Sequence, residues 1–506
     1  MNQLDMSTPE GVTLGLLPEI LLTAWSLIVL LVASWRHTSV RDNRLAGWLS
    51  FAGVVLSGAG LWWLWVNQVS PLGLTQMVAL DPFRYASVAL VLLSAAATIL
   101  LSLGYLERER LLAPEYYPLI LLATAGMMFL SGAEDLIVLF LGLEVMSVAV
   151  YVLAGYNRAN ASSAEAALKY FLIGAFASGF LLYGIALVYG ATGTTNLALI
   201  GAQLAGTEVS LMAALGLGLL LIGLGFKVAA VPFHMWAPDV YDGAPTPVTG
   251  FMATGVKVAA FVALVRVLLE AFPSAEALWQ PVIAALAIAS MVVGNLIALA
   301  QRTLKRMLAY SSIAHAGYLL VAVWPGSRLG AGAVLFYLAA YVLTTLASFG
   351  FLAALGRGGE RDVTYDDISG LAARRPWVAL GLSICMLSLL GFPGTFGFMG
   401  KWYILSAVIA EGQIILAVVL VVTSVISAGY YLPVIMAMYM KPAPADQPQP
   451  ALRLAPAAAG VIAISVAAVL LFGVWPAEAL ETAVRSASTL IETRMPVAGM
   501  SKAVGE

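Results

Sequence analysis

Charge is scarce in this sequence. Only 10% of its 506 residues are Asp, Glu, Lys or Arg, against 61% hydrophobic, where a soluble globular protein is about 25% charged and roughly half apolar. Mean hydropathy is +0.94. A soluble enzyme, a nucleic-acid binder and a disordered chain are excluded, and no nucleic acid is expected as partner. Cysteine is nearly absent. Cys385 stands alone in an apolar run, which excludes an internal disulfide and a cysteine cluster for zinc or iron–sulfur ligation. The three histidines, His37, His234 and His315, lie too far apart in sequence to suggest a haem pair or a zinc site. Also lacking are a phosphate-cradling glycine loop followed by Lys-Ser/Thr and a dinucleotide fingerprint. An ATP-driven pump is excluded, no cofactor or metal is expected in this chain, and any redox chemistry belongs to a partner. The first ten residues are polar and acidic rather than basic. The apolar run after them is long enough to stay in a membrane, so no cleaved leader is expected.

What the chain has instead is apolar runs, at 17–35, 45–66, 83–105, 117–131, 136–154, 165–190, 211–231, 247–271, 280–300, 307–323, 331–355, 377–408, 413–440 and 455–475. Since ~20 apolar residues cross a bilayer as a helix, the fold class is all-α, a polytopic membrane protein of about fourteen spans. The run at 117–131 is short and is expected to borrow from its flanks. Lysine and arginine set the orientation. With the N-terminus outside, the inner loops hold Arg36, Arg41 and Arg44, then Arg108 and Arg110, then Arg158. Further along they hold Arg302, Lys305 and Arg306, then Arg357, Arg361, Arg374 and Arg375, then Lys441 and Arg453. Outer connections hold little beyond Arg84, Arg266, Arg328 and the C-terminal tail, so both termini are expected outside.

One internal echo stands out. Ala167–Gly184 resembles Val334–Gly350, and each is followed by a helix interrupted by Pro and Gly, Gly225–Pro238 and Gly391–Trp402. Spans 4–8 (117–272) then match spans 9–13 (273–440). An odd number of spans repeated in tandem is inverted in the membrane, a transporter pattern that points to a pathway near the midplane. The expected organisation is three leading spans in 1–116, two inverted five-helix units, then span 14 and a tail in 441–506.

The few charges inside the apolar runs carry the chemistry. An ionised side chain at the bilayer centre costs about 2.5–3.5 kcal/mol on insertion scales, so such residues persist where they face a polar interior. Glu144 and Lys257 lie near span centres, where snorkelling to the headgroups is a poor account of them. Lys227 precedes Pro232 by five residues, and Lys401 follows the break at Gly391–Gly397. Lys169 lies about one turn into the sixth span, where snorkelling competes with function. His315 lies mid-span, where a helix–helix hydrogen bond is the plain alternative. Glu144 and Lys227 are natural partners, because an ion pair offsets the cost of burial. Moving the carboxylate would change how tightly the lysine holds its proton. Pro232 and the glycines near Pro393 free backbone groups, which at membrane depth must be met by protein or water. Local hydration is therefore expected beside Lys227 and Lys401.

Five stretches match a known family: Leu141–Arg158 (LGLEVMSVAVYVLAGYNR), Glu165–Gly193, Phe226–Thr249 with its P-F-H-x-W-x-P-D-V-Y-x-G-x-P-T-P-V run, Leu304–Leu320 (LKRMLAYSSIAHAGYLL) and Gly391–Leu405 (GFPGTFGFMGKWYIL). In these the chain resembles the antiporter-like membrane subunits of proton-pumping NADH:quinone oxidoreductase, respiratory complex I, and among them the N type. The resemblance implies a coupled pair in Glu144 and Lys227, a central lysine in Lys257, and a residue at Lys401 that hands protons outward. It places Lys169 near Glu144, and makes His234 a structural hydrogen-bonder at the helix break. The M type carries Glu where Lys401 stands, and the L type has a long C-terminal amphipathic helix for which no room is expected after 475. NADH, FMN, iron–sulfur clusters and quinone are implied in partner subunits of a bacterial inner-membrane complex, and protons would pass through Lys257, His315 and water to Lys401. The rival readings are a subunit of a multi-subunit Na⁺/H⁺ antiporter of the same fold and a purely structural membrane subunit.

Overall fold

The computed structural model describes residues 3–35, 39–71, 77–356, 363–442 and 455–492; Arg36, His37, Arg357, Arg361 and Arg453 lie outside them. The spans are α1 (Leu17–Trp35), α2 (Val40–Val66), α3 (Pro82–Arg108), α4 (Tyr116–Ser131), α5 (Leu136–Ala154), α6 (Ala161–Thr192), α7 (Leu211–Val228) and α8 (Thr246–Ala271). They continue with α9 (Glu276–Ala298), α10 (Leu304–Val323), α11 (Arg328–Leu355), α12 (Pro376–Leu390 and, past a break, Phe396–Ala410), α13 (Ile414–Met440) and α14 (Pro456–Val474). Among the described residues eleven of these are long and apolar enough to cross a membrane; α4, α10 and α12, taken as one broken helix, bring the number to the fourteen expected. Polar residues set where they start. Asp81, Asp135, Asn160, Ser210, Thr303, Ser327 and Thr395 each accept a backbone N–H of the first turn, a cap that stabilises a helix by about 1 kcal/mol. The cap at Asn160 starts α6 four residues before its apolar run, so Lys169 lies two turns into the helix rather than one.

Two helices form the centre. α8 is buried along its whole length and α11 nearly so, which is why both are apolar all round. Two π-helical turns, Met252–Val256 and Val267–Ala271, interrupt α8, and the first ends at Lys257. α4 does not borrow from its flanks. It ends at Gly132 and is buried on nearly every side, and a helix enclosed by protein need not match the thickness of the lipid. It packs on α5 through Gly126 and Gly142. A Cβ on Gly142 would lie 2.7 Å from the Leu130 amide nitrogen and 3.0 Å from the Gly126 carbonyl. Gly142→Val should therefore push α4 off α5 at a cost of about 1–3 kcal/mol. The expected result is a lower thermal unfolding midpoint of the membrane-extracted protein, and an unchanged midpoint would show that the contact is slack.

Arg84 and Arg266, expected in outer connections, are fully buried at the end of the bundle opposite Lys305 and Arg306. Arg84 pairs with Glu19 at 2.7 Å. Arg266 pairs with Asp81 and Glu270, both at 2.8 Å. A cation this deep needs such partners, since an unpaired buried charge costs several kcal/mol. The segment after 475, expected as a tail, forms an amphipathic helix, α15 (Ala477–Glu492). It buries Ala483, Ala487 and Leu490 and lays Val484 against Gly332 of α11.

Candidate functional site

The first cluster forms where α7 stops. Ala229 adopts the left-handed conformation at φ 58°, and the Ala230 N–H turns back to the Gly225 carbonyl at 2.9 Å, the closing pattern of a helix C-terminus. The chain then runs irregularly to a short helix, Ala237–Gly243. Protein rather than water meets two of the groups freed here. Ser290 of α9 accepts the Val231 N–H at 2.9 Å, and Trp236 Nε1 donates to the Phe226 carbonyl at 3.0 Å. His234 lies at this break: its Nδ1 is buried without a partner, its ring bonds the Pro232 backbone, and its backbone carbonyl accepts from Ala237.

Lys227 lies two residues before this helix end and is 3% exposed. Its ammonium donates to Ser147 Oγ at 2.7 Å and to Tyr151 Oη at 3.4 Å, and sits 5.3–5.5 Å from the ring centres of Tyr151, Tyr170 and Phe226. Ring faces attract a cation electrostatically, so the site holds an ammonium without a counter-ion in contact. The expected Glu144–Lys227 ion pair is not formed. Glu144, half-buried one turn before Ser147, takes its hydrogen bond from Ser178 of α6. Two serines thus stand where the direct pair was expected, one on each charge.

Lys169 is not at Glu144. Its ammonium binds Asp239 at 2.6 Å and Glu165 at 3.4 Å, and Arg306 of α10 reaches the same Asp239 at 2.8 Å. Burial pushes the Asp239 carboxyl up, but the hydrogen bonds from Lys169 and Arg306 outweigh it and hold it below its ordinary value. Its contribution is therefore present above the usual carboxylate range and lost only as acid protonates it. Lys305 joins α10 to the same segment, donating to the Asp242 and Ala244 carbonyls at 2.8 and 2.5 Å.

The second cluster is strung along one face of α10, where Ser312, His315 and Tyr318 recur every three residues. Lys257, 2% exposed, donates to Ser312 through both its carbonyl, at 2.6 Å, and its Oγ, at 2.5 Å. Tyr341 of α11 donates to the same Oγ at 2.9 Å. One turn on, His315 has a tyrosine hydroxyl on each ring nitrogen. Tyr337 lies 2.6 Å from Nδ1 and Tyr431 3.1 Å from Nε2. One turn further, the Tyr318 ring lies 4.5 Å beneath the Lys401 ammonium. Lys401 also donates to the Leu390 carbonyl at 2.9 Å, one of the groups released where the first half of α12 stops. Gly391 allows this close approach with φ 88°. A side chain there would meet the Lys401 stem at 3.0 Å. The cation thus caps a helix C-terminus, the negative end of its dipole.

The structure therefore brings Lys257, His315 and Lys401 into one row, sets Glu144 and Lys227 each on its own serine, and leaves Lys169 at the end of the bundle with Asp239. Sequence reading missed Ser147, Ser178, Ser312, Tyr337, Tyr341 and Tyr431. Hydroxyl residues are ordinary in membrane helices, and only proximity to a buried charge marks these.

The chain matches the family described as NADH:quinone oxidoreductase/Mrp antiporter, TM, over residues 133–427. It is 45% identical to NADH-quinone oxidoreductase subunit N of Gemmatimonas aurantiaca, covering 98% of this chain and 97% of that one. It is 46% identical to subunit N 1 of Sorangium cellulosum, covering 86% and 88%. A chain of respiratory complex I from Thermus thermophilus with bound aureothin superposes with a TM-score of 0.78 at 37% identity, covering 92% of this chain and 98% of that one. A chain of the Mrp complex from Dietzia sp. DQ12-45-1b shares the fold, with a TM-score of 0.81 at 24% identity over 94% and 98%. Matched by the family over more than half its length and by subunit N relatives over nearly all of it, the chain belongs to the NADH:quinone oxidoreductase/Mrp antiporter transmembrane family, in its subunit N group.

Proposed function

We propose that this chain is the proton-translocating membrane-arm subunit N of an NADH:quinone oxidoreductase. Electron transfer from NADH to quinone takes place in partner subunits, which hold the FMN and iron–sulfur clusters. This chain turns the resulting change of charge into proton movement. The observation that carries the reading is the row of buried ionisable groups, Lys257, His315 and Lys401, each held by hydroxyls or backbone carbonyls and none by a fixed counter-ion in contact. A proton can leave and return to such groups without breaking an ion pair. Relatives at 45–46% identity are NADH-quinone oxidoreductase chains, which supports this reading over the Na⁺/H⁺ antiporter of the same fold. The chain is a multi-pass membrane protein. We assign it to the bacterial inner membrane with both termini outside and the end carrying Lys305 and Arg306 inside, as two inverted units, 117–272 and 273–440.

In this scheme Glu144 and Lys227 are the input. Glu144 swings between Ser178 and the Lys227 side, and its charge decides whether Lys227 keeps its proton. The proton passes to Lys257, along the His315 row to Lys401, and out. Lys169 holds the inner end in register. Glu144→Gln keeps the shape and can still accept from Ser178, but it carries no charge. The assembled complex should reduce quinone while its proton pumping into vesicles falls sharply. Normal pumping together with normal quinone reduction would remove Glu144 from the mechanism.

A further inference from the structure

We propose that Tyr337 and Tyr431 are proton-relaying residues that carry the proton past His315, one serving each ring nitrogen. The proposal rests on the reading of Lys257 and Lys401 as successive proton sites. A neutral imidazole has one N–H donor and one acceptor nitrogen. With a hydroxyl on both nitrogens, one tyrosine must donate to the ring and the other must accept from it. The arrangement therefore has a direction, and the direction reverses when the ring changes tautomer.

Each tyrosine also adjoins a chain neighbour of a lysine or of its partner. Tyr431 Oη is hydrogen-bonded to Ser311 Oγ as well as to Nε2, and Ser311 adjoins Ser312, which receives the Lys257 ammonium. On the other side the Tyr337 ring lies against Gly400, the residue before Lys401. His315, Tyr337 and Tyr431 are each 2% exposed or less, shut off from bulk solvent. In the tautomer with the proton on Nδ1, Tyr431 gives its proton to Nε2 and takes one from the Ser311 side. The Nδ1 proton moves to the Tyr337 oxygen, whose own proton leaves toward Lys401. Each hydroxyl ends with one proton and the ring with one, now on Nε2. A half-turn of the ring about its χ2 bond then carries the Nε2 proton to the Tyr337 side and the bare Nδ1 to the Tyr431 side, so that the next proton can enter from Tyr431.

A merely structural pair would hold the imidazole in place and relay nothing. The test is Tyr337→Phe and Tyr431→Phe in the whole complex, with Tyr85→Phe as comparison, since the equally buried Tyr85 bonds the Val69 carbonyl rather than His315. Removing a positioned proton-transfer group slows its step about 10²-fold. Both variants should thus keep assembly and lose protons pumped per electron pair, while Tyr85→Phe does not. Placing 3-fluorotyrosine at 431, a more acidic phenol of nearly the same size, should shift the pH profile of pumping, which a structural hydroxyl would leave in place. If Lys257→Met abolishes pumping but both Phe variants pump normally, the relay is refuted and the reading beneath it stands. If Lys257→Met itself pumps normally, both fall.

Discussion

Lys257→Met is expected to give a complex that assembles, reduces quinone and moves no protons through this subunit. Met matches the unbranched stem of Lys and packs readily among apolar neighbours. The change leaves Ser312 without its cation, a loss of about 1–3 kcal/mol for unmet polar groups. It also removes an ammonium whose burial costs about 2.5–3.5 kcal/mol. The two effects are of similar size, so stability should change little. Transfer through the site should fall by about 10²–10⁴-fold, as for other groups that hold a moving proton. Stability and function are thereby separated in one variant. Vesicle pumping normalised to complex content, beside thermal unfolding of the same preparation, is the measurement. A variant that unfolds early would mean that Lys257 is a structural cation, and one that pumps normally would take it off the path.

The second large effect is expected at Lys401, and there the ranking of substitutions matters more than any single one. Lys401→Arg keeps the charge and can still cap the Leu390 carbonyl, yet a guanidinium does not release its proton in proteins. Lys401→Ala removes the proton site and leaves that carbonyl unmet. Lys401→Glu removes the positive charge but keeps a group that can take up and release a proton, and its acid form can donate to the same carbonyl. Pumping should therefore rank Lys first, Glu above Ala, and Arg low despite its charge. If Arg pumps as well as Lys, the residue is a fixed charge that holds the α12 break, and the exit role assigned to it fails.

Much of this site was legible in the sequence because ionised residues in apolar runs are rare and costly. Glu144, Lys227, Lys257, Lys401 and His315 all drew notice for that reason, and the breaks at Pro232 and Gly391 drew it because they end α7 and the first half of α12. Their partners were not legible. Ser147 looks like any small residue of α5, and Tyr337 and Tyr431 look like the other aromatic residues of α11 and α13, until the fold sets them on a charge. The direct Glu144–Lys227 ion pair was inferred from the cost of burial, and their coupling from the resemblance. The structure meets the same cost differently, with serines and ring faces, which a sequence does not reveal. Lys169 was set one turn too near its helix start because the Asn160 cap extends α6 past its apolar run, and its place near Glu144 came from the resemblance, whereas its ammonium binds Asp239. α15 was missed because it lacks a long apolar stretch, although Ala483, Ala487 and Leu490 recur at helical spacing.

The ties at the two ends of the bundle bear on how it moves. Arg84–Glu19 and Arg266–Asp81 lock α1, α3 and α8 at one end. At the other, Arg306 and Lys305, in the second of the two units proposed above, are fastened to Asp239, Asp242 and Ala244 in the first. A carrier that worked by rocking one unit against the other would have to tear the second set apart in every cycle. The frame is built to stay rigid, like a housing bolted at each end, while the working parts are side chains a few ångströms long at mid-height. Bridging Arg306 and Asp239 with a covalent crosslink in place of the ion pair should then leave turnover intact. A rocking machine would seize.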